Sequence, residues 1–408
     1  MAGREQKNKG ISRRSLLAAA TALPMRSILA RRPHPSVIVV GAGAFGGWTA
    51  LHLVRSGARV TLLDAWGPGN SRASSGGETR VIRAVYPDRV YVEMATRALR
   101  LWQENERIWN QKLYFRTGLI RMAGQDDDFE KAAVALFRDA GIEFEQLTAA
   151  MAARRYPQIN FDGVNWVVYE NNAGRVIARR ACEAVLNAFL HAGGQYRQAA
   201  VQPPVVAGPI KGITLGDGST LIADKYVFAC GPWLGTLFPD TIGRLIAPSR
   251  QEVFFFGTPA GDSRFTEKSL PIWSDRVKEF YGIPGNEWRG FKVASHRHGP
   301  PFDPTNGNRI ASAEALEAAR DFLGLRFPEL KGAPLLESRV CQYENTPDEH
   351  FIIDRHPRAE NLWLVGGGSG HGFKHGPAVG ERVSELVLDK RAIDPFFSLS
   401  RFKNRGVQ

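Results

Sequence analysis

Residues 36–64 read SVIVVGAGAFGGWTALHLVRSGARVTLLD. The opening SVIVV is a continuous β-branched run, the pattern of a strand buried on both faces. Gly41-x-Gly43-x-x-Gly46 follows at once, helical periodicity runs from 47 to 55, and Gly57 stops it. RVTLLD at 59–64 is the next strand, so the stretch is one βαβ unit of minimum length. The three glycines differ in what they do. Gly41 permits the tight turn, Gly43 lets backbone approach a pyrophosphate, and Gly46 allows close helix–strand packing. The helix start then offers free N–H groups and a positive dipole end to phosphates. Asp64, 18 residues beyond Gly46, ends the second strand where a carboxylate accepts from a ribose diol and repels a 2′-phosphate. The motif points to a dinucleotide and does not separate FAD from NAD.

Taken whole, a chain of 408 residues with 43% hydrophobic and 23% charged residues has the composition of a globular enzyme and is too long for one core. The 42 glycines sit in short runs without a period, which suits turns around ligands. No apolar run is long enough to span a bilayer, so stable membrane insertion is not expected. The net charge of +12 is concentrated at the start: residues 1–32 hold eight Lys/Arg against the single acid Glu5. No basic stripe with interleaved aromatics follows, which argues against a nucleic-acid partner. Cys182, Cys230 and Cys341 form no CxxC pattern, so neither a metal site nor a disulfide framework is expected.

The basic start continues as SRRSLLAAATALPM at 12–25. Paired Arg13 and Arg14 before a short apolar stretch resemble a twin-arginine export signal, a route that carries folded, cofactor-loaded proteins. Residues 1–34 are therefore read as an export signal or disordered leader. Beyond them, helical patterns span 89–109, 128–140 and 177–191, and Ser312 is placed to cap a helix reaching 323. Residues 251–304, rich in aromatics, Gly and Pro, read as strands and loops of a second, mixed domain. Glycines return at 366–372 after a strand at 361–365 and before a helix from about Pro377. Ligand-binding signals near both ends imply a domain assembled from separated segments with another inserted between them.

Five further segments carry a family resemblance: SRASSGGETRVIRAVYP at 71–87, YGIP at 281–284, GFKVASHRHG at 290–299, RVCQYENTPDEHFIIDRHP at 339–357 and GGGSGHGFKHGPAVGE at 366–381. In this order after GxGxxG, they resemble the monomeric sarcosine oxidase family, whose relatives act on N-methyltryptophan, pipecolate and glycated amino acids. The resemblance spans about residues 36–390, and its C-terminal pair of motifs is the specific part. It implies an α/β fold: a glutathione-reductase-like, Rossmann-type FAD domain with a mixed-sheet substrate domain inserted discontinuously. The expected FAD segments are 35–116, 174–248 and 343–408, and the substrate segments 117–173 and 249–342.

The resemblance also implies roles. Cys341 falls where the family attaches FAD through a thioether. Lys292 matches the lysine that promotes reaction with oxygen, and its setting between Phe291 and Val293 is not that of a solvated lysine. Arg83 and Lys374 match the pair that holds the substrate carboxylate. Thr79 and Arg80 lie beside the flavin ring, Tyr281, His296 and Tyr343 line the substrate cavity, and Gly368, Gly370 and His371 belong to the C-terminal flavin loop. Lys292, Arg80 and His296 form the expected catalytic group. The implied reaction oxidises the C–N bond of an amino acid or N-alkyl amino acid to an imine, with hydrogen peroxide from oxygen. An FAD dehydrogenase serving a quinone or carrier is the nearest rival, ahead of an NAD enzyme or a non-catalytic binding protein. One departure stands out: where relatives often carry His, two residues before the acid of the Thr-Arg motif, this chain has Gly76, a change expected to enlarge the site or alter the flavin's surroundings.

Overall fold

The βαβ unit forms as read: β1 (Ser36–Val40), α1 (Ala44–Arg55) and β2 (Arg59–Asp64). In the computed structural model, which describes residues 1–3 and 34–403, β1 is the centre of a six-stranded sheet. Strand order is Ile352–His356, Ala359–Gly366, Lys225–Phe228, β1, β2, Gln195–Gln198. All neighbours pair parallel except the first two. The parallel strands are apolar on both faces because helices cover the sheet; α1 packs beside Ala178–His191 and Gly376–Val387 in the largest core cluster. The expected leader is outside the described residues apart from its ends, and the chain from Pro35 onward is one compact unit.

An eight-stranded sheet follows the order Leu335–Asn345, Ala247–Phe256, Phe291–Ser295, Phe280–Ile283, Ile272–Asp275, Leu119–Ala123, Trp166–Glu170, Phe144–Thr148. Its pairing is antiparallel apart from the parallel contact of Ile272–Asp275 with Leu119–Ala123. Successive residues of a strand face opposite sides, and here the two sides have different fates. Ile120, Val167, Phe254, Phe256, Trp273, Phe291 and Val293 point to the back and form a core with Phe322 and Leu323 of the helix Ala313–Arg326. That helix starts at Ser312, whose Oγ accepts from Ala315 N at 3.2 Å. The front face carries Leu119, Arg121, Ser274, Tyr281, Lys292, Cys341 and Tyr343, all of which line one cavity.

The expected segment junctions at 248/249 and 342/343 fall inside two strands, Ala247–Phe256 and Leu335–Asn345, that pair along nearly their whole length. Both strands belong to the eight-stranded sheet along their length. Among the described residues no helix is long and apolar enough to cross a membrane.

Candidate active site

The glycine turn is held from three sides. Gly41 N donates to Leu63 O at 2.7 Å, Ala42 N to Asp64 Oδ2 at 2.8 Å, and Ala44 N to Ser75 Oγ at 3.0 Å. Gly41 has φ +104°, and a Cβ there would stand 2.3 Å from Ala229 O, so no other residue fits the turn. A Cβ on Gly46 would stand 1.8 Å from Gly41 O, which makes Gly46 a packing glycine behind the turn. Asp64 also accepts from Trp66 N at 2.9 Å and Gly67 N at 2.8 Å through Oδ1. The carboxylate thus braces the turn against β2, and burial pushes its pKa up against those hydrogen bonds.

From this turn a cavity of about 700 Å³ runs beneath the front face of the eight-stranded sheet, within the range for small-molecule and cofactor sites. All the expected site residues line it except Gly46: Gly41, Gly43, Asp64, Thr79, Arg80, Arg83, Tyr281, Lys292, His296, Cys341, Tyr343, Gly368, Gly370, His371 and Lys374. Sequence distance between them is bridged by strand pairing. Phe255 sits opposite Lys292 and Gln251 opposite Cys341, which brings the lysine and the cysteine onto one surface.

In the middle of the cavity, Arg80 is tied to backbone. Its Nη2 donates to Ser74 O at 2.7 Å and its Nη1 to Thr79 O at 2.9 Å, with Cys341 Sγ 3.9 Å away. Lys292 Nζ donates to Thr79 O at 3.3 Å. Burial, then the charge of Arg80, lowers the Lys292 pKa to about 7. Cys341 is half-buried on the cavity wall, while Cys182 is buried in a helix with its thiol pushed up to about 12 by desolvation. Cys230 also touches the cavity, and its desolvated thiol is likewise pushed up, its Sγ facing Val40 O. Cys230 and Cys341 line the cavity, and Cys182 does not.

At the far end stand Arg83 and Lys374. Lys374 is 5% exposed, and its Nζ donates to Tyr86 OH and to His371 O, each at 2.8 Å. One Nη of Arg83 donates to Val85 O, and the guanidinium lies 4.3 Å from the Tyr86 ring centroid. Burial and Arg83 together hold the Lys374 pKa well below that of a free lysine. His371 Nε2 is 3.0 Å from the Glu349 carbonyl, which only accepts. Nε2 therefore carries the proton, and Nδ1 accepts from Tyr86 OH at 3.2 Å. His296 stands between Tyr281 and Tyr343, 6.1 Å from each ring centroid. Burial, then the charges of Arg83 and Arg121, lowers its pKa to about 3, so the imidazole is neutral.

Sequence reasoning missed four groups. Tyr86 links Lys374, His371 and His375 through one hydroxyl. Glu170 accepts from Ala84 N at 2.7 Å and Val85 N at 3.1 Å, fixing the backbone beside Arg83, and burial raises its pKa to about 7. Arg121 is a buried arginine on the wall, where Arg80 and Arg83 are only half-buried. Glu344 accepts from Gly368 N at 3.1 Å. For Arg121, alternation offered a signal, since a lone Arg inside the apolar run LIRMA is out of pattern. At Gly76 a Cβ would stand 2.2 Å from Asn70 O, so the loop as packed leaves no space for a side chain there.

The lining fits a flavin dinucleotide. Gly43 faces the cavity at the helix start. Gly370, at φ +75°, leaves no space for a Cβ, which would lie 2.5 Å from the Tyr343 ring. Glu344 keeps Oε2 buried and without a partner among the described residues, an acceptor awaiting a hydroxyl or N–H donor.

Residues 36–386 match the family model of the DAO group, described as FAD dependent oxidoreductase. The chain is 30% identical over 379 residues to the peroxisomal sarcosine oxidase of Homo sapiens, covering 90% of this chain and 94% of that one. It is 31% identical over 384 residues to the monomeric sarcosine oxidase of Bacillus sp. (strain NS-129), covering 90% and 97%. The N-methyl-L-tryptophan oxidase of Salmonella arizonae is 27% identical, with 90% and 97% covered. Among solved structures, L-proline dehydrogenase from P. horikoshii superposes with a TM-score of 0.79 at 20% identity, covering 92% of this chain and 99% of that one. Fructosyl amine:oxygen oxidoreductase from Aspergillus fumigatus gives 0.73 at 22%, with 92% of each chain covered; both share the fold. The protein belongs to the DAO family of FAD-dependent oxidoreductases, and its cofactor is FAD.

Proposed function

We propose that this enzyme oxidises the C–N bond of an amino acid or N-alkyl amino acid. The observation that carries the reading is the convergence of Arg83 and Lys374, two cations with N–H groups uncommitted among the described residues, at the end of the cavity beyond Thr79 and Lys292. An Arg fork and a Lys point charge together suit a carboxylate. FAD, when bound, would supply the two-electron acceptor.

The chain's own groups do the rest. Arg83 and Lys374 hold the α-carboxylate and so fix the C–N bond against the cavity floor. His296, kept neutral, presents an acceptor to the substrate amine without repelling it. Tyr281 and Tyr343 close the cavity around the reacting carbon and keep water out until the imine forms. No general base is required, because an amine that binds unprotonated has no proton to surrender first.

Thr79, Arg80 and the backbone of Gly368, Gly370 and His371 would hold the flavin. Cys341 is the point of covalent attachment. Oxygen is the electron acceptor and yields hydrogen peroxide, with Lys292 placed to stabilise the charge oxygen takes up on its first electron; a quinone or carrier protein is the competing acceptor. Residues 1–34 act as a twin-arginine-type leader that exports the folded enzyme. The test is an anaerobic screen of N-methyl, cyclic and glycated amino acids for bleaching of the flavin absorbance. Bleaching by at least one of them is expected; bleaching only by amines that lack a carboxylate would refute the reading.

A further inference from the structure

Arg121 has no part in the chemistry above, yet it lines the same end of the cavity and is 4% exposed. It stands on the strand Leu119–Ala123, paired through Ser274 to Tyr281 on the front face. Other buried arginines engage their partners at two points, though each keeps one buried Nη without a hydrogen bond among the described residues. Arg175 grips Glu267 with Nε and Nη2 at 2.6 and 2.9 Å. Arg326 takes Asp275 through Nε at 2.8 Å and the Asp162 carbonyl through Nη1 at 3.2 Å. Arg121 commits only Nε, to Glu130 at 2.5 Å, and among the described residues no acceptor takes its Nη hydrogens. The open edge of its fork is left to the cavity.

The neighbouring acids do not take up that edge. Glu170 is engaged by two backbone N–H groups, and Glu130, held by Arg121 Nε, stands 3.9 Å from the partly exposed Arg276. A second carboxylate reaching Arg121 beside Arg83 and Lys374 would meet a free donor edge.

Resting on the amino-acid reading above, we infer that the substrate carries a second carboxylate: the α-carboxylate on Arg83 and Lys374, the other on the open fork of Arg121. The enzyme's substrates are then acidic amino acids or N-carboxyalkyl amino acids, and neutral amino acids such as sarcosine are poor ones.

The experiment titrates holoenzyme with unreactive straight-chain diacids from malonate to adipate, each against the monoacid of equal carbon number. Flavin absorbance and protein thermal shift report binding in parallel. At one length or more the diacid should bind roughly ten- to a hundredfold tighter, the size of one added charge-assisted contact. Arg121→Met combined with Glu130→Gln, which leaves no unpaired buried acid, should abolish that advantage, and Arg121→Lys should keep part of it. Parity of diacid and monoacid at every length in the unmodified enzyme overturns the inference without any variant, and so does a preference that survives loss of Arg121. In both cases monoacid binding leaves the amino-acid reading standing. If no carboxylate perturbs either signal, both readings fall together.

Discussion

Arg83 and Lys374 can be tested as a carboxylate clamp at a magnitude set by the hydrogen bonds already present. One Nη of Arg83 is committed to Val85 O. Two of the three Lys374 N–H groups are committed to Tyr86 OH and His371 O. Lys374 therefore has about one charge-assisted hydrogen bond to offer and Arg83 at least one, in a water-poor site, on the order of 1.5–3 kcal/mol apiece. Arg83→Met or Lys374→Met should weaken binding of the true substrate by roughly ten- to a hundredfold. The substrate's carboxamide should lose a similar factor against the unmodified enzyme, because it presents no anion. The losses should overlap: in the double variant the amide should bind nearly as well as the acid, the coupling expected of groups in direct contact. Stopped-flow flavin reduction at varied substrate concentration gives the binding constants without relying on turnover. Protonation adds a second signature. Lys374 has its pKa depressed by burial and by Arg83, and an arriving carboxylate raises it, so binding takes up protons at pH values between the two. Calorimetry in buffers of different ionisation enthalpy should register that uptake and lose it in Lys374→Met. Equal binding of acid and amide, with additive losses, would refute the clamp.

Other consequences are as direct. Denatured, washed protein should stay yellow, and Cys341→Ser should release the flavin to the supernatant; flavin already free in unmodified protein would contradict attachment there. Because burial and Arg80 lower the Lys292 pKa to about 7, its cation is present below that pH and lost as pH rises through it, or somewhat higher once an anion lies beside it. Reoxidation of the reduced enzyme by oxygen should accordingly slow with rising pH, and in Lys292→Met it should be slow and pH-independent; an unchanged profile would favour a carrier as acceptor. Gly41→Ala forces a side chain to φ +104° and 2.3 Å from Ala229 O, a strain of at least ~1–3 kcal/mol. A lowered melting temperature and poor flavin retention should follow, and a variant of normal stability and cofactor content would show the turn to be less constrained than its geometry. A reporter fused behind residues 1–34 should leave the cytoplasm only while Arg13 and Arg14 are intact, and export that survives Arg→Lys at both positions would remove the twin-arginine proposal.

The βαβ unit was legible because its information is local. Three glycines, a β-branched run and one acid specify a turn whose geometry involves few residues beyond it, and the helices at 89–109, 128–139 and 313–326 follow from periodicity and capping. The assignments of Arg83, Lys292, Cys341 and Lys374 came from motif resemblance, and residue spacing alone would not have united positions that lie up to 291 residues apart in sequence. Asp64 was legible as an acid at a strand end, while its service to three backbone N–H groups was not. Pairing of distant strands decides which side chains share a surface, and a sequence carries no direct record of register. Tyr86, Glu170 and Glu344 act through hydrogen bonds to backbone or to distant side chains, so nothing beside them in the chain marks them. Gly76 shows the limit most plainly: the sequence records a missing side chain, but only the packed loop reveals that Asn70 O leaves no space for one. Local chemistry chose the cofactor-binding unit, and long-range packing chose the shape and charge of the space in which a substrate meets it.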